Sequence, residues 1–389
     1  MRLLLLNMEK RTVITIISAI LIFAATTVLY LYTAGYRLDK EKNKIDLSRT
    51  GMIGAKSIPE GANIYVDGQL TSATNDTISA VTPGKHTLRM LKNGFVTWTK
   101  EIEVFPELVT DITAILVSQT PRLEPLTNTG ARLPTISPSL SKLAFFTKDS
   151  TSPGVWVIPL TNAGLSLFRS TPYAALEDTA YNFYSDGKAI EWAPDEKSLL
   201  VLDAKDNYYL VDLNANTAES TSAPELLRQT WNQELAKKRA DFIAKVNLPQ
   251  ELKEIATAPD TIWSPDDKKF LYTETTGTTI SYKVYNMEKP LPVGEKVETV
   301  VFTIDTKNPK PKVSWYADSF HLILIENYSD QEYKGTIGLI RIDGTNKTVV
   351  YNNSMYSDMV FSAPGGDKII VLTSLKSGEQ TDLYTVGIR

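Results

Sequence analysis

The chain has 389 residues, of which 42% are hydrophobic and 22% charged, so it carries enough apolar content to build globular cores in two or three domains. The net charge is −4, yet residues 1–45 hold seven basic residues against three acidic ones, which is +4 and leaves −8 for the remainder. A mildly acidic body without clustered Lys and Arg excludes nucleic acid as a partner, and the absence of Cys removes disulfides and thiol chemistry.

Residues 13–35 contain no charge and are dominated by Ile, Leu, Ala, Val and Phe. As a helix this stretch spans the roughly 30 Å hydrocarbon core of a bilayer, so 12–35 is predicted as one transmembrane helix behind a short tail, 1–11. Tyr30, Tyr32 and Tyr36 gather near its exit, where amphipathic rings favour the interface, and Arg37 can snorkel there. A cleaved signal peptide is the competing reading, but its apolar region would be only about 7–15 residues and would precede a small-residue cleavage site. Basic residues flank the helix on both sides, three before and four after, so charge does not set orientation. The tail is placed in the cytoplasm because every segment able to form a domain follows the helix.

After a polar juxtamembrane linker, 36–55, the run Ala62-Asn63-Ile64-Tyr65-Val66-Asp67-Gly68 alternates as a strand and ends in a turn pair suited to a tight hairpin. Further strand signals follow Pro83-Gly84, span 95–104 and span 110–117, which predicts a small antiparallel β-sandwich over 56–119. The residues Pro59-Glu60-Gly61-Ala62, Val66-Asp67-Gly68, Pro83-Gly84-Lys85-His86 and Asn93-Gly94-Phe95-Val96-Thr97-Trp98 resemble the PEGA domain. That resemblance implies a compact, non-catalytic β module of cell-envelope and surface-exposed proteins. His86 follows directly on a Pro-Gly turn within a strand pattern, without the further N or S ligands a metal requires.

From residue 120 onwards one pattern recurs five times: Ile136-Ser137-Pro138, Trp192-Ala193-Pro194-Asp195, Trp263-Ser264-Pro265-Asp266, Trp315-Tyr316-Ala317-Asp318 and Phe361-Ser362-Ala363-Pro364. In each copy a large apolar residue closes a strand, a turn follows, and a Leu-, Phe- or Ile-led strand returns. Third strands are read at 155–158, 208–211, 300–304, 337–340 and 383–386, and fourth strands at Leu165 to Phe168 and Thr348 to Tyr351. The spacings of 56, 71, 52 and 46 residues exceed the roughly 40–50 of propeller repeats, so insertions are expected. One is helical, 222–256, with Ser222 and Glu225 as a capping box and Leu227, Trp231, Leu235, Phe242 and Val246 on one face. The other, 277–298, carries an extra strand at 280–285. The fold class is therefore mainly β: a transmembrane helix, a small sandwich, and a β-propeller over 120–389 of five blades, or six if 171–188 forms a degenerate one. The last blade ends one strand short, and Pro121 to Leu126 is predicted to supply the missing outer strand, its two prolines suiting a sheet edge. The Trp-Ser-Pro-Asp copies resemble the WD-like repeats of Tol-type periplasmic propellers. The order of anchor, PEGA-like module and propeller resembles PEGA-domain membrane proteins of bacteria.

Chemistry is sparsely signalled. There is no Gly-x-Ser-x-Gly elbow and no phosphate-cradling loop, and His86 and His321 fall in separate domains. Asp203, Asp206 and Asp212 match no calcium-loop spacing. No catalytic, cofactor or metal site is assigned. If the propeller were a glycoside hydrolase, Glu191, Asp260 and Glu326 are its candidate carboxylates. Tyr173, Tyr181, Phe183 and Tyr184 form the densest aromatic set in a loop-like context, and are the candidate contacts to a partner, with packing beneath the loop as the competing role. The expectation is a single-pass membrane protein, held in the lipid bilayer by one helix, that presents a non-catalytic propeller outside the cell to an envelope protein or glycan.

Overall fold

The computed structural model describes residues 10–33, 36–39, 46–160, 171–246, 248–258, 261–375 and 380–388. The chain forms two compact units, Met1–Lys92 with Thr97–Ile115 and Pro292–Glu295, and Asn93–Val96 with Leu116–Leu291 and Lys296–Arg389.

Helix α1, Lys10–Thr33, contains a 20-residue span, Thr12–Leu31, of mean hydropathy 2.4, none of it buried in protein, which is long and apolar enough to cross a membrane. Two of its hydroxyls are satisfied internally, since Thr26 and Thr27 both donate to the Phe23 carbonyl. The segment expected as a linker, 36–55, instead contributes strands: Tyr36–Asp39 pairs antiparallel with Asp46–Arg49, and Gly51–Ile58 opens the sheet that follows.

In the first unit, Gly51–Ile58 lies between Asp76–Val81 and Val109–Ile115 in a three-stranded sheet. A four-stranded sheet runs Gln69–Ala73, Asn63–Val66, Gly84–Leu91, Trp98–Val104. The expectation of purely antiparallel strands fails at one pair, because Gly51–Ile58 and Val109–Ile115 run parallel. Assigning residues 51–55 of this strand to a linker hid that pairing. Alternation works as anticipated elsewhere: Ala62 and Ile64 are fully buried with Leu88, Met90 and Trp98, while Asn63 and Asp67 face out. Asp67 and Gly68 take φ of 49° and 82°, the left-handed pair that a two-residue hairpin turn needs.

The second unit holds five four-stranded antiparallel sheets. The first is Arg132–Ile136, Lys142–Thr147, Gly154–Pro159, Tyr173–Glu177, and the second Ala189–Trp192, Ser198–Leu202, Tyr208–Asp212, Thr217–Thr221. The third is Ile262–Trp263, Lys269–Thr276, Thr279–Asn286, Glu298–Asp305, and the fourth Lys312–Trp315, His321–Ser329, Lys334–Arg341, Thr348–Tyr351. The fifth, Val360–Ser362, Lys368–Thr373 and Asp382–Gly387, is completed by Leu123–Pro125 from before the first sheet, in the register Leu123 to Val386, Glu124 to Thr385 and Pro125 to Tyr384. The missing outer strand is thus supplied where its prolines predicted it.

Two strand assignments change. Thr279–Asn286, read as an extra strand, is the third strand of its sheet, which moves 300–304 to the fourth position. The first sheet's fourth strand is Tyr173–Glu177, while Leu165 to Phe168 lies outside the described residues. Residues 171–188 therefore supply that strand and a short 3-10 turn, Tyr184–Asp186, and form no further sheet.

The recurring motif folds the same way in all five copies. The amides of Ser137, Ala193, Ser264, Tyr316 and Ala363 donate to the carbonyl five residues on, and each of their carbonyls accepts from the amide three residues on. That third residue is left-handed every time: Leu140, Glu196, Asp267, Ser319 and Gly366, with φ between 55° and 61°. A type I turn followed by one left-handed residue matches the twist of the strands it joins, which is why a Pro/Asp-rich turn recurs there. The tryptophans link neighbouring sheets through their indole N–H groups. Trp192 donates to the Thr135 carbonyl of the first sheet at 3.1 Å, and Trp315 to the Ile262 carbonyl of the third at 2.9 Å.

Trp263 breaks that pattern by donating to the Ala256 carbonyl of the helical insertion at 2.9 Å. The insertion consists of α2 (Pro224–Ile243) and α3 (Gln250–Thr257), and it is α3 that supplies the acceptor which in the other two tryptophan copies belongs to a neighbouring sheet. Of the expected apolar face only Phe242 and Val246 join a core, where they pack with Ile243, Leu248 and Ala256 against Phe270 and Tyr272 of the third sheet, while Leu227, Trp231 and Leu235 are only half-buried and lie outside it. The capping box does not form. The N-cap is Ala223 without a side-chain cap, Pro224 opens the helix, and Glu225 pairs with Arg228, because Ser222 falls one residue too early.

Candidate functional site

The first strands of all five sheets surround one cavity of about 380 Å³, walled by Ile136, Trp192, Trp263, Trp315 and Phe361 of the recurring motif. Its lining contains no titratable side chain, so the motif supplies walls and no acid or base.

The candidate carboxylates are not brought together. Glu191 sits on the first strand of the second sheet and takes a forked contact from Arg228 of α2, with Nε 3.2 and 3.0 Å from its two oxygens and a terminal nitrogen 2.6 Å away. Arg228 also covers the Tyr208 ring at 5.1 Å, and its hydrogen bonds to Glu191 and Tyr208 push its already high pKa upwards. Glu326 belongs to the fourth sheet and receives Lys347 at 2.8 Å. Asp260 lies outside the described residues. A glycosidase pair needs two carboxyls flanking one bond. Glu191 and Glu326 are instead neutralised in different sheets, and neither lines the central cavity.

The other acids and both histidines hold turns. Asp203 accepts from the Lys205 and Asn207 amides, Asp212 from those of Asn214 and Ala215, and Asp206 pairs with Lys188. Those amide bonds, that of Ala215 foremost, lower the Asp212 pKa. His86 Nδ1 lies 2.7 Å from Asp67, and its Nε2 lies 2.7 Å from the Thr82 carbonyl. Burial pulls the His86 pKa down, but the bonds to Asp67 and Thr82 outweigh it and raise the pKa above the ordinary value. His321 is buried against Asp318 at 2.6 Å. Burial raises the Asp318 pKa, and His321 with the Phe320 and His321 amides brings it below the carboxylate range. Among the described residues, no group of three or more His, Cys, Asp or Glu could hold a metal.

The four aromatic candidates divide in two. Tyr173 packs into the core shared by the first two sheets, and Tyr184 is buried there edge-on to Tyr209 at 5.0 Å. Tyr181 and Phe183 are 83% and 54% exposed, which separates them from their packed neighbours. Their loop is nonetheless pinned. The Thr179 hydroxyl accepts from the Tyr181 and Asn182 amides, Asp178 holds the Ser185 amide and hydroxyl, and Lys205 donates to the Tyr181 carbonyl at 3.0 Å.

In a four-stranded antiparallel sheet, the turn joining its first two strands lies at the end opposite both the turn joining its second and third strands and the connection to the next sheet. The loop of Tyr181 and Phe183 is such a connection. Exposed Leu133, Tyr333, Met359 and Leu375 fall at the same end, as does a second cavity of about 390 Å³ lined in part by Tyr328, Asp330, Tyr356 and Met359. Tyr333 and Tyr356 stack with ring centroids 4.4 Å apart. Burial, then the bond to Asp330, raises the Tyr328 pKa and keeps its hydroxyl protonated. These residues were not legible as a group, because they come from the first strand of the first sheet and from three separate loops of the fourth and fifth sheets. The clustering of Tyr328 and Tyr333 around one hairpin tip was the only local signal.

The PEGA domain family matches residues 50–119, the segment containing Pro59-Glu60-Gly61-Ala62. No curated protein matches the chain as a whole. Among similar solved structures is TolB from Acinetobacter baumannii, 14% identical over 78% of this chain and 60% of that one, with a TM-score of 0.26; the chain thus spans less than two thirds of its length. Another is an oligogalacturonate lyase from Vibrio parahaemolyticus, 9% identical over 70% of this chain and 95% of that one, with a TM-score of 0.28. A third is the β-propeller domain of the trilobed protease from Pyrococcus furiosus, 13% identical over 87% and 82%, with a TM-score of 0.21.

Proposed function

We propose that this is a single-pass membrane protein with its N-terminal tail, 1–11, in the cytoplasm and its PEGA module, 56–119, and five-bladed propeller, 120–389, outside. Its propeller binds an envelope protein or glycan and does not turn it over. The apolar span Thr12–Leu31 and the PEGA match support the placement. The observation that carries the binding assignment is the contrast within one aromatic set: Tyr173 and Tyr184 are packed, while Tyr181 and Phe183 stand exposed on a hydrogen-bonded loop at the end that bears the 390 Å³ cavity. Large rings carry few rotatable bonds and, on a backbone already held, lose little entropy on contact, which is the property of an interface anchor.

A glycan array probed with the full chain in neutral detergent tests the glycan form of this reading. Retention without bond cleavage is expected, lost in the Tyr181→Ala/Phe183→Ala double variant while its melting temperature stays unchanged. Turnover of a bound glycan that disappears in Glu191→Gln would replace binding by hydrolysis. Protease shaving of intact cells tests orientation, and survival of the propeller would reverse it.

A further inference from the structure

A third cavity, of about 280 Å³, lies where α2 meets the recurring turn of the third sheet. Lys238, Asp241 and Phe242 reach it from one face of α2 and Lys245 from the turn that follows, with Arg239 beside them and Trp263 and Asp267 opposite. Its cations are unequally engaged. Lys238 is held by Asp267 at 2.8 Å, whereas Lys245 is exposed and has no partner among the described residues. Arg239 is half-buried with its guanidinium carbon 5.5 Å from the Trp263 ring centroid, and among the described residues no carboxylate or carbonyl hydrogen-bonds to it. Burial lowers the Arg239 pKa, and Asp267 only partly offsets that. A guanidinium placed against an indole ring, with its donors unengaged, is poised for an anion it can take through two parallel hydrogen bonds.

The space sets the size of the occupant. At about 30 Å³ per water the cavity holds roughly nine waters, which matches a small organic acid and exceeds a bare inorganic ion. Phe242 and Trp263, packed edge-on at 6.2 Å, give it an apolar wall. We propose that this cavity binds a small carboxylate with a flat apolar body, its carboxylate taken by Arg239 with Lys245 as the second cation and its body lying against Phe242 and Trp263. The site is separate from the Tyr181 and Phe183 surface and does not depend on that surface binding a partner.

Isothermal titration of the full chain in neutral detergent with benzoate tests this, with benzamide as the neutral isostere. Benzoate is expected to bind at least about tenfold more tightly than benzamide, Arg239→Gln to remove that preference, and Arg239→Lys to restore only part of it because an ammonium lacks the planar fork. Lys245 is exposed, so Lys245→Gln leaves folding intact, and it is expected to weaken benzoate by about two- to threefold and to flatten its salt dependence. Equal binding of benzoate and benzamide, or no binding of benzoate, would overturn the proposal. So would unchanged benzoate affinity in a folded Arg239→Gln or in Lys245→Gln.

Discussion

Asp382 is 2% exposed and sits where the last sheet takes up the strand from before the first, so replacing it with Ala probes the closure directly. One carboxylate oxygen accepts from the Thr127 hydroxyl and the Gly130 amide, each at 2.9 Å, and the other from the Gln380 side chain at 2.9 Å. The Thr127 hydroxyl in turn accepts from the Leu383 amide at 2.9 Å, so one side chain organises both edges of the seam. A hydrogen bond to a charged group is worth about 1.5–3 kcal/mol, and a stranded buried donor costs about 1–3 kcal/mol. Gln380 is exposed and can turn to water, which leaves the two bonds to Thr127 and Gly130 as the main loss, about 3–4 kcal/mol in all. For a unit of this size that corresponds to a fall in melting temperature of about 6–15 °C. Near-UV circular dichroism of the full chain reads the transition, and amide exchange over 123–131 reads whether the seam opens first. Lys188→Ala serves as the control, since its pair with Asp206 is exposed and worth under about 0.5 kcal/mol. A fall of less than about 2 °C in Asp382→Ala, with exchange over 123–131 unchanged, would refute the seam as the closure of this unit.

The Asp67–His86 pair makes the first unit sensitive to pH. The folded His86 pKa is raised, so its contribution is complete below about pH 6.5 and is lost as pH rises through the folded value. Asp67 is held down by His86 and then by the Thr87 amide, so its share is lost as pH falls below the carboxylate range. Asp67 is 54% exposed, which limits the effect to under about 1 kcal/mol, and the protection factors of amides over 84–91, with the base-catalysed intrinsic rate divided out, are expected to fall from pH 6 to about pH 8.5 in the native chain but not in His86→Gln. Arg228→Ala removes the fork to Glu191 and the cover of Tyr208, so exchange in the first half of α2 is expected to rise by about tenfold, about 1–2 kcal/mol, with the second sheet unaffected. Leu140 is the aliphatic member of the five left-handed turn residues, and Leu140→Gly is expected to raise stability by about 0.5–1 kcal/mol in thermal melts; a decrease would show that its side chain outweighs the strain.

Much of the fold is written locally, and the part that is not has a common cause. The alternation around Ile64, the Asp67-Gly68 turn and the five Pro/Asp turns depend on residues within one hairpin, so they could be read from neighbours in sequence. The closing strand was legible because a fifth sheet lacking a strand and a proline-flanked segment without a sheet are complementary faults. Pairings between distant segments were not. The parallel partner of Gly51–Ile58 lies near residue 112, and nothing in either strand specifies the other. The same limit applies to the candidate surface. Density of rings along the chain gathered Tyr173, Tyr181, Phe183 and Tyr184, but only the register of Tyr173–Glu177 with Gly154–Pro159 and the contact of Tyr184 with Tyr209 distinguish packing from exposure. For Glu191 the decisive neighbour, Arg228, comes from an insertion 37 residues away.

The most direct test places a photo-crosslinking amino acid at Tyr181, at Phe183 and, on the end that carries the recurring turns, at exposed Lys197, each in the full chain in cells that produce it. Adducts from positions 181 and 183 that are absent from position 197 are the expected result. Adducts from position 197 alone, or none from 181 and 183, would contradict a partner held at the aromatic end of the propeller.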